Sequence, residues 1–295
     1  MTPRETISAG LIGHGIAGSL TPALHEAEGK ALGIDYRYQL IDTSLPANAA
    51  HALSHLISEA EGSGYAGVNI THPYKVEVCS ALNRLSPQAA RVGAVNTVQF
   101  RDGERIGHNT DVTGFAAAFH AEMAQASKRK VLMLGAGGAG AAVAEALMGL
   151  GVQALLIHDK AGVRSQDLAV RTAPRHPHGQ VIAASSLADI DFSTIDGVVN
   201  ATPIGMHGHP GTAIDPCLLQ PGMWVADIVY FPLETALLRR AKEIGCRTMT
   251  GGGMAVHQAA EALALITGKQ ADAARMAASF FDLINHRTPP KVLTK

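Results

Sequence analysis

The chain is short of several things that would place a protein quickly. Its 295 residues hold three cysteines, Cys79, Cys217 and Cys246, an odd number without metal-binding or redox spacing, so reduced, packed thiols are expected and a structural disulfide is not. Charge of one sign is missing too. A net charge of -1, from 24 basic against 25 acidic residues, provides no basic stripe for nucleic acid. No apolar run approaches the roughly 18 residues of a spanning helix, and Met1-Thr-Pro-Arg-Glu5 lacks the pattern of a secretory leader, so no membrane partner and a cytoplasmic location are expected. Aromatic residues are scarce, with seven Phe, five Tyr and one Trp, which argues against a site built on aromatic stacking. Histidine is plentiful at fourteen, yet His176-Pro-His178 and His207-Gly-His209 have no Cys or Glu cluster nearby to complete a ligand set, so no metal is expected.

What remains is an ordinary soluble composition, 47% hydrophobic and 17% charged, on a chain long enough for two cores. Its most informative stretch is Val131-Leu-Met-Leu-Gly-Ala-Gly-Gly-Ala-Gly140, an apolar strand running into glycines. Gly135 permits a tight turn, Gly137 lets backbone approach a pyrophosphate, and Gly140 lets the following helix pack close, its N-terminal amides facing the anion. With Ala136, Gly138 and Ala139 these form a candidate dinucleotide cradle. A second strand, Gln153 to Asp159, ends on a carboxylate 19 residues past Gly140, near the spacing of a ribose-binding acid. A carboxylate accepts from the free 2′-hydroxyl of NAD and repels the 2′-phosphate of NADP, so NAD is expected over NADP, with Lys160 and Arg164 as the opposing signal.

Apolar runs alternate with helical stretches. Strands are predicted at Leu11–Gly13, Tyr36–Ile41 and Gly67–Thr71, and helices at Pro22–Leu32, Ala47–Glu61 and Tyr74–Leu82, the rhythm of a parallel sheet. It recurs after Gly135 through Val181-Ile182, Gly197–Ala201, Met223–Asp227 and Thr248-Met249. Thr113–Met123 reads as a linking helix; Met254–Thr267 and Ala271–Leu283 read as terminal helices able to return to the first domain, with a frayed tail from His286 to Lys295. The expected fold is α/β in two domains: an N-terminal three-layer substrate domain over residues 1–112, joined by 255–295, and a Rossmann-type domain over 113–254.

A dehydrogenase also needs a group that manages the alcohol proton. Val68-Asn-Ile-Thr-His-Pro-Tyr-Lys75 sets Asn69 and Thr71 on one strand face and Lys75 at the start of the next helix. Gly93–Thr97 and Gly107–Gly114 add Asn96 and Asp111. Singly, each has an ordinary alternative: a lysine at a helix start is usually a solvated charge, and an aspartate before an apolar helix usually an N-cap.

Together, Ser19-Leu-Thr-Pro22, Val68–Lys75, Gly93–Thr97, Asn109-Thr-Asp111, Gly135–Gly140, Asn200-Ala-Thr-Pro203 and Gly253-Met-Ala-Val-His-Gln258 resemble, in order and across almost the whole chain, the shikimate dehydrogenase family. The likeness is greatest to quinate/shikimate dehydrogenases that use NAD. It implies an active-site cleft between two domains, Lys75 and Asp111 as the catalytic pair, and Ser19 and Thr21 on the substrate carboxylate. It further implies Asn69, Thr71, Asn96 and Gln258 on ring hydroxyls, Tyr230 in the substrate site, and the glycine loop, Asp159, Thr202 and Gly253 on the cofactor.

Oxidising a ring alcohol sends hydride to the nicotinamide and a proton to the protein. A lysine amine is ordinarily an ammonium near neutrality, so a lysine acting as base needs desolvation, and a neighbouring carboxylate opposes that. Asp111 is therefore read mainly as orienting Lys75 and the hydroxyl, with proton sharing within the pair. Shikimate-specific members resemble Ser-x-Ser at the carboxylate site, whereas Ser19-Leu-Thr21 resembles members that also accept quinate. Shikimate is the expected substrate, quinate a second, and an aminated analogue an open alternative. Two further readings are a folate-type methylene dehydrogenase and a catalytically silent metabolite sensor, the latter disfavoured by intact Lys75 and Asp111. A monomer or homodimer is expected.

Overall fold

The computed structural model describes residues 6–286. The leader reading at residues 1–5 and the tail beyond His286 lie outside the described residues. Two six-stranded sheets organise the chain, and helices cover both faces of each.

The first sheet contains β1 (Thr6–Gly13), β2 (Asp35–Asp42), β3 (Tyr65–Ile70), β4 (Arg84–Leu85), β5 (Thr97–Arg101) and β6 (Glu104–His108), in the order β2-β1-β3-β5-β6-β4. Residues alternate between its faces with the strand period of two. Ala9, Leu11, Tyr36 and Tyr38 pack with α1 (Thr21–Ala31) and with two helices from the chain's far end, α9 (Gly251–Thr267) and α10 (Ala273–Asn285). Ile12, Val68 and Ile70 face the other way, onto Leu53, Leu56, Ile57 and Ala60 of α3 (Leu53–Gly62). Arg275 of α10 donates to Glu28 of α1 at 2.6 and 2.7 Å, which pins the returning helix to the first domain.

Three readings of this half need correction. The sheet is mixed, because β5 and β6 form an antiparallel hairpin across Asp102-Gly103 and β5 runs antiparallel to β3. The predicted Ala47–Glu61 helix is two, α2 (Pro46–Ala49) and α3, with Ala52 extended between them. Asn48 of α2 is tied to the Asp42 carbonyl at the end of β2, whereas α3 follows its own apolar face onto the sheet. Tyr74–Leu82 is a turn followed by a short 3-10 helix at Glu77–Ala81, since the Lys75 carbonyl, the natural acceptor for a helical amide, receives Val95 N–H at 2.7 Å instead. Lys75 thus sits in a loop, and α4 (Pro87–Val92) is the next α-helix.

The helix α5 (Thr110–Met123) links the halves. Phe119 of α5 meets Trp224 edge-to-face with centroids 5.0 Å apart, and the indole N–H donates to Ser127 O at 2.8 Å. Gly197 makes room: a Cβ there would lie 2.0 Å from the indole.

The second sheet is wholly parallel, from β7 (Lys130–Leu134), β8 (Ala154–His158), β9 (Gln180–Ala183), β10 (Gly197–Asn200), β11 (Trp224–Asp227) and β12 (Arg247–Met249), ordered β12-β11-β10-β7-β8-β9. Helices α6 (Gly138–Gly149), α7 (Gly162–Thr172) and α8 (Ala236–Ile244) complete it. Strand order reverses direction between β7 and β10, the crevice where doubly wound sheets bind ligands. Both the glycine loop after β7 and the Asn200–Pro203 loop after β10 emerge there.

Candidate active site

On the cofactor side, the glycine loop has the three properties expected of a pyrophosphate cradle. Gly135 has φ of 98°, and a Cβ on it would lie 2.8 Å from Ala201 O and 2.9 Å from Thr202 Cγ2. A Cβ on Gly140 would lie 2.3 Å from Gly135 O, so α6 can start this close to the turn only with glycine there. A Cβ on Gly137 would meet nothing within 4 Å. Gly135 and Gly140 answer to packing within the protein, whereas Gly137 faces open space above the start of α6, where N-terminal amides are unpaired. The residues present therefore fit a dinucleotide.

Asp159 closes the other side of the loop. One carboxylate oxygen accepts Ala136 N–H at 2.8 Å and the other accepts Ala161 N–H at 2.8 Å, so the acid braces the turn as well as offering negative charge beside it. Thr202 donates its hydroxyl to Asn200 Oδ1 at 2.6 Å, and Asn200 in turn donates to Asp227 Oδ1 at 2.9 Å. Asp227 is fully buried, and burial raises its pKa against the pull of hydrogen bonds from Val229, Asn200 and Thr235. Gly253 has a different surrounding: a Cβ on it would lie 2.7 Å from Glu122 and 3.0 Å from Ala118, so this glycine lets α9 pack on α5.

On the opposite side, Lys75 Nζ donates to Asp111 Oδ2 at 2.5 Å; the two side chains are 19% and 6% exposed. Asp111 is not the helix cap. Asn109 caps α5, accepting Asp111 N–H at 3.1 Å, and its amide donates to Ala94 O at 2.9 Å. Asp111, in the first turn, receives Asn96 Nδ2–H on its second oxygen at 3.0 Å. Asn96 also approaches Gln258 Oε1 at 3.4 Å, which brings α9 to the cluster. Asn69 lies behind, 5% exposed, held by Tyr38 and Thr97.

The two sides meet at Lys75. A Cβ on Gly138 would lie 3.4 Å from Lys75 Cβ and 4.0 Å from Ala94 Cβ, so the start of α6 packs on the loop that carries the amine. An amine held by a carboxylate beside a dinucleotide cradle is suited to exchanging a proton with a substrate hydroxyl there.

Ser19 and Thr21 sit at the start of α1, with the Ser19 hydroxyl donating to Thr21 Oγ1 at 3.0 Å. Asp42 fixes the loop before them: its carboxylate accepts Gly15, Ile16 and Ala17 N–H at 2.8, 2.9 and 3.1 Å and both Ser44 donors. Burial works against charge on Asp42, but these hydrogen bonds prevail and hold its pKa below the ordinary carboxylate value. Thr71 lies one residue past β3, against Gly13, where a Cβ would be 2.3 Å from its methyl. His14 N–H donates to His72 O at 3.0 Å, joining the Ser19 loop to the Lys75 loop. Tyr230 follows β11, its ring 6.3 Å from that of Phe280 on α10.

Tyr38, Asn109, Thr110, Thr97 and Asp42 support the site without having been singled out from sequence. For Asn109 the signal was present, an Asn just before the helix. For Tyr38 and Asp42 none was, since each acts across the sheet or on a distant loop. One histidine of each pair has a partner elsewhere: His176 Nε2 lies 3.2 Å from Glu145, and the His207 ring faces Phe231 at 6.1 Å. Among the described residues, no three His, Cys, Asp or Glu side chains gather as a metal site, and no helix is long and apolar enough to cross a membrane.

Comparison with known proteins locates this arrangement. Residues 11–98 match the model of the shikimate dehydrogenase substrate binding domain. A shikimate dehydrogenase (NADP(+)) of Streptomyces avermitilis is 48% identical over 95% of this chain and 97% of its own. A quinate/shikimate dehydrogenase (NAD(+)) of Corynebacterium efficiens is 45% identical over 95% and 99%. The structure of quinate dehydrogenase from Corynebacterium glutamicum in complex with NAD superposes with a TM-score of 0.89 at 43% identity, covering 95% of this chain and all of that one.

Proposed function

The chain belongs to the shikimate dehydrogenase family, and from that premise we propose that it is an NAD-dependent dehydrogenase interconverting shikimate and 3-dehydroshikimate, with quinate and 3-dehydroquinate as a second pair. Shikimate/quinate dehydrogenase activity on a nicotinamide dinucleotide is the level at which its relatives agree. The observation that carries the residue-level reading is the Lys75–Asp111 contact at 2.5 Å, set against Gly138 at the start of the cradle helix.

In this reading the glycine loop from Gly135 to Gly140, Asp159, Thr202 and Gly253 hold the cofactor, which when bound supplies the hydride acceptor for alcohol oxidation. Lys75 Nζ takes the hydroxyl proton and steadies the oxygen as negative charge develops; Asp111 holds Nζ in place and shares the proton. Ser19 and Thr21 receive the substrate carboxylate through their hydroxyls. Asn69, Thr71, Asn96, Gln258 and Tyr230 order the ring hydroxyls. The substrate half comprises residues 1–112 with 255–295, and the cofactor half 113–254; the packing of α9 and α10 on α1 and the first sheet supports that division.

The preference for NAD rests on Asp159. Its carboxylate stands 2.8 Å from the Ala136 amide of the cradle, where it disfavours a 2′-phosphate. Quinate as a second substrate rests on Thr21, whose extra methyl reshapes the carboxylate end of the site relative to Ser-x-Ser members. The aminated substrate and the silent sensor are not favoured by the relatives' activities.

The test follows reduced-cofactor absorbance with purified protein given shikimate or quinate, each with NAD or NADP. Turnover of shikimate with NAD, exceeding that with NADP, is expected, with slower or comparable turnover of quinate. Turnover with NADP alone would remove the reading of Asp159, and no turnover in any combination despite NAD binding would remove the dehydrogenase assignment.

A further inference from the structure

The Gly93–Thr97 motif supplied Asn96 to the site, but its last residue has no part in the proposed chemistry. Thr97 opens β5, is fully buried, and pairs across the sheet with Asn69 of β3. Its hydroxyl lies 2.9 Å from Asn69 Nδ2 and 3.2 Å from Asn96 Oδ1, between the two amides.

The direction of every hydrogen bond here follows from groups that can only donate or only accept. Asn69 Nδ2 lies 3.2 Å from the Asn96 carbonyl, an acceptor, so that end of the amide is the nitrogen. Its oxygen therefore faces Tyr38, whose phenol donates to it at 2.7 Å. For Asn96, the Thr110 N–H donates to Oδ1 at 2.8 Å and the Asp111 carboxylate accepts from Nδ2 at 3.0 Å, which fixes that amide as well. Thr97 Oγ1 accepts from Asn69, and its one proton goes on to Asn96 Oδ1. The result is a chain running one way, Tyr38 to Asn69 to Thr97 to Asn96 to Asp111, with Lys75 on the far oxygen of that carboxylate.

All five members of the chain are buried. In such surroundings hydrogen bonds polarise one another, and a break leaves unpaired groups that cannot turn to water. Every donor in the chain points toward Asp111, so the chain fixes the plane of that carboxylate and the direction from which it holds Lys75.

We infer that Thr97 is a positioning residue for the Lys75–Asp111 pair, setting the geometry of the acid–base couple through Asn96 without touching substrate, and that Tyr38 anchors the far end of the same chain. This rests on the assignment of Lys75 and Asp111 in the proposed function.

The experiment compares Thr97→Val, which keeps the shape and removes the hydroxyl, with Thr97→Ser, which keeps the hydroxyl and removes the methyl. Misplacing the pair is expected to lower kcat of Thr97→Val about tenfold to hundredfold, more than it raises KM for shikimate. Thr97→Ser is expected to restore kcat to within about threefold of the parent, because the relay is intact. Parental kcat in Thr97→Val, or equal losses in both variants, would overturn the relay; equal losses would assign Thr97 to packing. If Thr97→Val does not fold, Tyr38→Phe replaces it, and there a fall in kcat with KM little changed supports the relay, whereas parental kcat overturns it. A Lys75→Ala control separates the two levels. If that variant keeps its kcat, the catalytic assignment fails first; if it is inactive while Thr97→Val is unaffected, only the relay fails.

Discussion

The two sides of the candidate site are built by opposite means. Around Lys75 and Asp111 the geometry is held by buried side chains, Tyr38, Asn69, Thr97, Asn96 and Asn109, each with directional partners. Around the glycine loop it is held chiefly by backbone amides and by missing Cβ atoms, with Asp159 bracing the turn and Thr202, tied through Asn200 to Asp227, fixing the loop beside it. One side thus depends on which polar atoms are present and the other on which atoms are absent. A conservative change that spares one should damage the other.

The largest contrast is expected from removing charge at constant shape. Asp111→Asn keeps the volume but loses the carboxylate that holds Lys75, and it turns an acceptor facing Asn96 Nδ2 into an amide; kcat should fall about a hundredfold or more while NAD affinity, measured by titration calorimetry, stays near the parental value. Unchanged kcat would mean that the polar side does not set the rate.

Next come the glycines, which divide by what surrounds them. Gly140→Ala drives a methyl onto Gly135 O, a backbone atom that cannot swing away, and should cost about 1–3 kcal/mol of stability in denaturant unfolding as well as cofactor affinity. Gly137→Ala meets nothing in the protein, so it should leave unfolding unchanged and weaken NAD binding alone. If Gly137→Ala bound NAD as well as the parent, the open face above α6 would not be where the pyrophosphate lies.

Asp159→Ala sharpens the comparison from the cofactor side. Losing the carboxylate should shift the NADP-to-NAD ratio of kcat/KM upward, yet total activity should fall with both cofactors, because Ala136 N–H loses its acceptor. A clean switch without loss would reduce Asp159 to a charge filter.

The smallest effect concerns pH. Asp42 has its pKa lowered in the folded chain, so its contribution to stability is complete above the ordinary carboxylate value, near 4, and is lost as pH falls through the lower folded value. The melting temperature of Asp42→Asn should therefore lie below the parent's at neutral pH and converge on it in acid. Parallel curves would show that Asp42 is not charged when it holds the Ser19 loop.

The same contrast explains what the sequence revealed. Gly135, Gly137, Gly140 and Asp159 were readable because a cradle is local: strand, turn and helix start follow one another, and the acid comes at a set spacing. Lys75, Asn96 and Asp111 are individually ordinary, and only the order of seven motifs proposes roles for them. Tyr38 and Asp42 were invisible because their partners lie across the sheet or on distant loops, at separations that no local pattern records, and Thr97, although it ends the Gly93–Thr97 motif, drew no role because Asn69 faces it from another strand. The Lys75 loop read as helix for a related reason, since its carbonyl is claimed by Val95, twenty residues on. Asp102-Gly103 carried the hairpin signal of the mixed sheet, but no strands are predicted from sequence on either side of it.

In the proposed reaction, Lys75 manages the proton of the alcohol being oxidised beside the cradle. That role is tested most directly by mixing excess protein with shikimate and NAD and following a single turnover by reduced-cofactor absorbance, in the parent and in Lys75→Ala, after calorimetry has shown that both bind NAD. Prompt formation of reduced cofactor is expected in the parent and a rate about a hundredfold to ten-thousandfold lower in Lys75→Ala, with NAD affinity unchanged. Equal single-turnover rates in the two proteins would contradict it.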